Sequence, residues 1–369
     1  MSKAVIVIGT RPDLIKQAPV IRAMQEALKK GSTMEYVTLH AGQHWSDNMD
    51  AVFLSDLKLT PHHRLETSHG TYAQQIRETL GGARKILADL QPSVVVVYGD
   101  TLSAWACAMA AACEGIDVAH VEAGMRTEPQ DLRLPEETFR SQIDAVARWL
   151  FAPTQYQAGN LTREGHSKNR IFVVGNTVLD IVESFRASIS LEPRAWRGLT
   201  LKPRKYLVLT LHRAENVDDY VWLRKALKIL GAGKSLGMEL VWPIHPRTQK
   251  RMAEFGLKAP KGVTTTGPIG YLDMMRLVMN AATVLTDSGG IPEECMILRV
   301  PCLILRRSTE RPEVLHSGCA KMLDVMAANE FILKRMIKDA TLTARNWNHP
   351  YGTVGVGTRI VDILRAAYP

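Results

Sequence analysis

The chain is poor in several features, and each shortage removes a class of function. Only five cysteines stand among 369 residues, at 107, 113, 295, 302 and 319, and no two form a Cys-x-x-Cys pair. Each lies in or beside apolar sequence, so they read as reduced core residues rather than a disulfide frame. The eleven histidines include no HExxH or other metal spacing, and no metal is expected. No stretch reaches the roughly 18 uninterrupted apolar residues that a membrane span needs. The Ala-rich segment 102–113 is too short for that and reads as a buried helix. Met1-Ser2-Lys3 runs straight into strand-like Ala4–Ile8, with no leader pattern, so a cytoplasmic protein is expected. Neither a GxGxxG nor a P-loop is present, and no Ser or Cys nucleophile elbow, which argues against an acyl hydrolase. The net charge of +9 invites a nucleic-acid partner. Lysine and arginine nevertheless form no run beyond a few residues, and no nucleic-acid-binding signature appears. A basic balance suits an anionic small substrate equally well.

What is present is an alternation of short apolar runs with amphipathic segments, in a chain that is 46% hydrophobic and 22% charged. That composition is ordinary for a globular protein, and the length predicts two domains. The first series of strands is Ala4–Gly9, Tyr36–His40, Val94–Val97, Val118–Val121, Arg148–Phe151 and Ile171–Val174, about six in all. Helices are expected from Pro12 to about Lys30, from about Asp47, and over Tyr72–Leu90. A second series begins at Tyr206–Leu211 and continues through Leu240–Ile244, Val263–Thr266, Val284–Leu285, Cys302–Leu305 and Met322–Val325. The polar stretch Ser188–Lys205 separates the two. Such alternation predicts an α/β fold with two Rossmann-like domains facing a central cleft. We place the first domain at 1–174 and the second at 175–351. A last helix, Thr358–Ala367 within 352–369, packs back on the first domain.

The polar residues of interest all fall just after strands, where open α/β sheets bind ligands. In the first half these are Arg11, Lys16, Gln43, His44, Asp100 and Glu122, with Glu136 and Arg140 on a following helix. In the second half they are His212, Arg213, His245, Ser288, Gly289, Gly290, Glu294 and Arg311. The stretch Asp287–Glu294 ends a buried strand with Ser-Gly-Gly and opens a helix. Small residues there let backbone N–H groups approach an anion. The loop Arg306–Glu313 adds arginines and glutamates beside it. Together the positive groups can hold a diphosphate and Glu294 can bind ribose hydroxyls. Asp100, Glu122, Glu136 and His212 are able to move protons.

The chain resembles the non-hydrolysing UDP-N-acetylglucosamine 2-epimerase family. The matching pieces run in order along nearly the whole chain: GTRPDLIKQAPV (9–20), AGQH (41–44), YGDT (98–101), HVEAGMRT (120–127), LPEETFR (134–140), FAPT (151–154), VVGNTVLD (173–180), LHRAEN (211–216), WPIHP (242–246), LTDSGGIPEE (285–294) and RRSTERPE (306–313). The resemblance implies a GT-B-like pair of domains, a homodimer and a UDP-sugar substrate. It also implies reversible conversion of UDP-GlcNAc to UDP-ManNAc without NAD or metal, by elimination of UDP and re-addition to a glycal. By the same resemblance Asp100, Glu122 and Glu136 are the acid–base candidates. Lys16, Arg11, His212 and Arg140 support them, and His245, Ser288, Glu294 and Arg311 contact UDP.

The chain also departs from the family's pattern. Asp13 stands where Glu is usual and Phe139 where Asn is usual. Trp45 and Ala214 replace two cations in the stretches around His44 and Arg213. The Phe139 change makes UDP-2,3-diacetamido-glucuronic acid the first alternative substrate. Loss of polar groups at Trp45, Ser46 and Ala214 implies that a second, activating UDP-GlcNAc site is absent or weak. Two competing classes are a GT-B glycosyltransferase and an inactive sugar-nucleotide sensor. The carboxylates at 100, 122 and 136 count against both.

Overall fold

The computed structural model describes residues 2–42, 60–68, 70–127, 135–189, 201–231 and 236–369. The helix expected from about Asp47 lies outside the described residues, as does most of the expected junction. Residue contacts divide the chain into two compact units, residues 1–183 with 350–369 and residues 184–349. No helix among the described residues is long and apolar enough to cross a membrane.

Unit 1 is built on strands β1 (Lys3–Ile8), β2 (Glu35–His40), β3 (His63–Arg64), β4 (Val94–Tyr98), β5 (Asp117–Val121), β6 (Trp149–Ala152) and β7 (Ile171–Val173). Their order is β3-β2-β1-β4-β5-β6-β7, with every pairing parallel. The valine run of β4 is fully buried, as expected of a strand covered by helices on both faces. The seventh strand, β3, was not expected. It has two polar residues and no apolar period, and its entry is fixed by Thr38 N–H donating to His62 Nδ1 at 3.1 Å. Helix Arg11–Lys29 starts at a Pro in its first turn, where the missing N–H costs nothing. Thr101 caps helix Leu102–Cys113 by accepting the Ala104 N–H at 3.2 Å.

The last helix, Val356–Ala367, docks on this unit. Its opening N–H groups, at Gly355, Val356 and Gly357, donate to the Asp180 carboxylate at 2.7, 3.2 and 2.9 Å. One side chain thus satisfies three donors that a helix start leaves orphaned. Gly357 lies against the backbone of Pro19 in helix Arg11–Lys29.

Unit 2 repeats the plan with β8 (Tyr206–Thr210), β9 (Glu239–Pro243), β10 (Val263–Thr266), β11 (Thr283–Thr286), β12 (Cys302–Ile304) and β13 (Ala320–Met322). The order is β10-β9-β8-β11-β12-β13, again all parallel. Its core gathers Leu207, Leu209, Trp242, Leu285 and Leu303. The final strand was expected at Met322–Val325 but ends at Met322, because its partner β12 ends at Ile304, paired with Met322. Asp324 then turns the chain by accepting the Met326 N–H at 2.8 Å. Both sheets have the doubly wound order, which reverses between β1 and β4 in one unit and between β8 and β11 in the other. Ligands of such sheets bind beyond the carboxyl ends of the strands at that reversal.

Candidate active site

In unit 1 the carboxyl ends of β1, β4 and β5 carry the chemistry. Glu122, directly after β5, is 7% exposed and pairs with Lys16 from helix Arg11–Lys29 at 3.2 Å. Lys16 Nζ also lies 5.3 Å from the centre of the Tyr98 ring. Glu122 has φ 72°, the left-handed region that a non-glycine residue rarely adopts. Its N–H and that of Ala123 both donate to the Phe151 carbonyl at 3.1 Å, which holds the strained residue at the strand end. Strain of this kind concentrates at functional sites.

Asp100 follows β4 and pairs with Arg140, which is itself buried. The other end of the Arg140 guanidinium pairs with Glu137, one turn earlier on helix Pro135–Val146. Glu137 also accepts the Thr127 N–H at 2.9 Å. Arg140 is therefore neutralised by two carboxylates and orients both. Glu136 is half-buried in the first turn of that helix and close enough to Tyr72 to help burial push the Tyr72 hydroxyl up. The neighbouring Phe139 turns away into an apolar cluster with Leu102 and Ala106 and stacks on Trp105 at 5.2 Å.

Behind Glu122 lies a buried relay that sequence reading missed. His120 Nδ1 meets Asp144 Oδ1 at 2.6 Å, and its Nε2 meets the Gly99 carbonyl at 2.8 Å. Burial would raise the Asp144 carboxyl, but His120 and Arg126 outweigh it and hold it below the usual range. Asp13, the third residue of helix Arg11–Lys29, also lies near Asp100. It is 3% exposed, and burial pushes its carboxyl up to about 7 against hydrogen bonds from Thr10 and Thr101. The side chain of Arg11 and residues Gln43 and His44 lie outside the described residues.

In unit 2 the organising residue is Asp287, at the end of β11. It is fully buried and accepts the backbone N–H groups of His212 at 3.0 Å and Arg213 at 3.0 Å, and Asn216 Nδ2 at 3.2 Å. His212 Nδ1 lies 3.2 Å from the same carboxylate. Burial would raise Asp287, but His212 and these donors outweigh it and hold the carboxyl low. The loop after β8 is thereby tied to the loop after β11 across the sheet reversal. The His212 and His245 rings stand 5.6 Å apart, and His245 Nδ1 accepts the Arg247 N–H at 3.2 Å as the cap of helix Pro246–Glu254.

The glycine turn is shaped by close contacts. A Cβ on Gly289 would fall 2.8 Å from Arg213 Nη2 and collide with Glu310 Oε1. Glu310 is buried between Arg213 at 3.2 Å and Arg306 at 2.8 Å. Ser288 Oγ accepts the Gly290 N–H at 3.3 Å, just before helix Ile291–Leu298. Arg311 Nη1 pairs with Glu293 at 2.6 Å and its Nε donates to the Gly289 carbonyl at 3.1 Å. Glu294 is buried in the first turn of that helix, beside the Tyr271 hydroxyl that burial and its charge push up. A helix start and a glycine turn with cations beside them are features that can receive an anion. Among the described residues no group of three or more His, Cys, Asp or Glu is placed to hold a metal ion.

The sequence model of the family described as UDP-N-acetylglucosamine 2-epimerase matches residues 26–365. The chain belongs to that family. A UDP-N-acetylglucosamine 2-epimerase of Methanocaldococcus jannaschii is 40% identical to this 2-epimerase-family chain over 370 residues, 98% of each. The crystal structure of the Methanocaldococcus jannaschii UDP-GlcNAc 2-epimerase in complex with UDP-GlcNAc and UDP matches with a TM-score of 0.90 at 38% identity. It covers 99% of this chain and 100% of that one. A UDP-2,3-diacetamido-2,3-dideoxy-D-glucuronate 2-epimerase of Pseudomonas aeruginosa is 33% identical over 364 residues, 98% of this chain and 99% of its own.

Proposed function

We propose that the protein interconverts UDP-GlcNAc and UDP-ManNAc by eliminating and re-adding UDP. A carboxylate of unit 1 removes the C2 proton, and the C2–H electron pair becomes the C1=C2 double bond of a glycal. The C1–O bond breaks and UDP leaves with its electrons. A carboxylic acid on the other face returns a proton to C2 while the UDP oxygen re-attacks C1. Hydrogen leaves and returns as a proton, so the sugar undergoes no net redox change and the step requires no hydride carrier.

One observation carries this reading. Unit 1 holds two carboxylates at adjacent strand ends, each beside a different buried cation: Glu122 with Lys16, and Asp100 with Arg140, which Glu137 shares. Separate environments let two carboxyl groups take opposite proton-transfer roles, each worth roughly 10²–10⁴-fold. Glu136 is the third acid–base candidate. In unit 2, Ser288, Gly289, Gly290, Glu294, Arg311, Arg213 and His245 are the proposed UDP contacts, the positive groups stabilising it as a leaving group, and His212 supports proton transfer. Arg11, Gln43 and His44 belong to the same substrate-binding set.

UDP-GlcNAc is favoured over the diacetamido-glucuronate substrate because Phe139 is committed to an apolar stack rather than to a polar face. The assembly we expect is a cytoplasmic homodimer, testable by sedimentation equilibrium. The deciding experiment is proton NMR of the purified protein with each UDP-sugar in deuterated water. UDP-GlcNAc should give UDP-ManNAc with deuterium at C2. Epimer formation without exchange would exclude the elimination route, and turnover of the diacetamido-glucuronate alone would overturn the substrate.

A further inference from the structure

Asp13 is a buried acid that the proposed mechanism leaves unused. At the third position of helix Arg11–Lys29 its Oδ2 accepts the Thr10 N–H at 2.9 Å, half of a capping box. An acid that only capped a helix would gain by staying charged beside the helix start. This one is buried so deeply that desolvation outweighs its hydrogen bonds. Among the described residues no cation pairs with it.

Its other bond leaves the helix. Thr101 Oγ donates to Asp13 Oδ2 at 3.1 Å and accepts the Ala104 N–H at 3.2 Å, so the hydroxyl is held from both sides. Thr101 is the residue after Asp100. The link thus ties the helix that carries Lys16 to the loop that carries Asp100, while Arg140 holds Asp100 from another direction. The groups facing Asp13 are few. Thr10 belongs to its own helix start, and Asp100 and Thr101 come from the loop after β4. Helix Leu102–Cys113 adds Ser103, which lies with Asp13 against Gly9, and the buried thiol of Cys107. Of these, Asp100 opposes ionisation of Asp13 through its charge.

We propose that Asp13 is a positioning residue for Asp100, acting through the Thr101 hydroxyl and through its own protonation state. Protonated, it holds the Asp100 loop with no competing charge. Ionised, it places a second negative charge beside Asp100. The inference rests on the proposed epimerase reaction, since turnover is its main readout.

The experiment is the pH profile of C2 exchange for wild type, Asp13→Asn, Asp13→Glu and Thr101→Val, with kcat and KM separated. Wild type and Asp13→Glu should show an inflection in kcat near neutral pH that Asp13→Asn lacks. Thr101→Val should lower kcat about 10- to 100-fold, the scale of a small misplacement of a reacting group, with KM within about 2-fold. A merely structural Asp13 would leave the inflection in place. Asp13→Asn with an unmoved inflection, or Thr101→Val with unchanged kcat, overturns the proposal. The second variant removes one hydroxyl and keeps the test open should the first not fold. If wild type exchanges no C2 proton at all, the function has failed instead. Carboxyl ¹³C titration of the ligand-free protein then decides for Asp13. A resonance titrating near neutrality is expected, broken away from its wild-type course in Thr101→Val, and its absence overturns the inference.

Discussion

Arg311 is a proposed UDP contact that also pairs with buried Glu293, and a double-mutant cycle should separate the two roles. Its Nη1 lies 2.6 Å from Glu293, with side chains 7% and 0% exposed. Arg311→Met removes the cation that pairs with buried Glu293, a loss of about 3–5 kcal/mol. Adding Glu293→Gln removes the carboxylate as well, and replacing a whole buried pair with neutral groups is often close to neutral in stability. The double variant should therefore recover at least about 2 kcal/mol relative to the sum of the singles. A direct contact of Arg311 with UDP is worth about 1.5–3 kcal/mol, or roughly 10- to 150-fold in Kd. That loss should persist in the double variant. The assay is urea unfolding of wild type, both singles and the double, with calorimetric titration of UDP into each. Singles that add to the double within about 0.5 kcal/mol would refute the buried coupling. Full UDP affinity in the double would refute any direct contact, leaving Arg311 as a support for Glu293 and the Gly289 turn.

If Asp100 transfers a proton as proposed, Asp100→Asn should abolish C2 exchange while calorimetry shows UDP affinity nearly intact; a variant that exchanges but no longer binds UDP would reverse the proposed roles. For Asp13 the sign runs opposite to the usual carboxylate. Its folded value of about 7 lies above the ordinary 3.8, so unfolding releases a proton between those values and stability falls as pH rises from about 4 to 7. At about 1.4 kcal/mol per pH unit the cost reaches at most about 4 kcal/mol. Asp13→Asn should therefore be more stable than wild type at pH 8 and little different at pH 4, and denaturant curves with the same offset at both would sink this account. Gly357→Ala would place a Cβ 2.5 Å from the Pro19 carbonyl carbon, and overpacking of this kind costs about 1–3 kcal/mol. Thermal melting at the wild-type temperature would show that the last helix does not need that approach.

Much of the fold was legible because period and punctuation are local. Buried runs such as Val94–Val97, with polar residues directly after them, predict parallel strands whose ends carry the site, and the structure has Asp100, Glu122, His212 and Ser288 at such ends. Glu137 was within reach of sequence reasoning, since it stands three residues before Arg140 on one helix. Its neighbour Glu136 is the acid that the family resemblance marks, and spacing alone does not tell which of two adjacent acids turns inward. Other residues had no local signal. Asp287 organises unit 2 only because β8 and β11 are paired neighbours, with Thr286 opposite Thr210, which brings the His212 and Arg213 N–H groups to its carboxylate across more than 70 positions of sequence. Asp144 supports His120 from a different element, and Asp13 meets Thr101 across 88 positions. By itself the sequence determined which residue types stand at the strand ends, because hydrophobic period and turn chemistry act over a few residues. Only the tertiary structure decided which carboxylate receives a cation, which gathers several backbone donors and which is buried with no cation among the described residues. Desolvation and charge act through space, and strand pairing sets those distances.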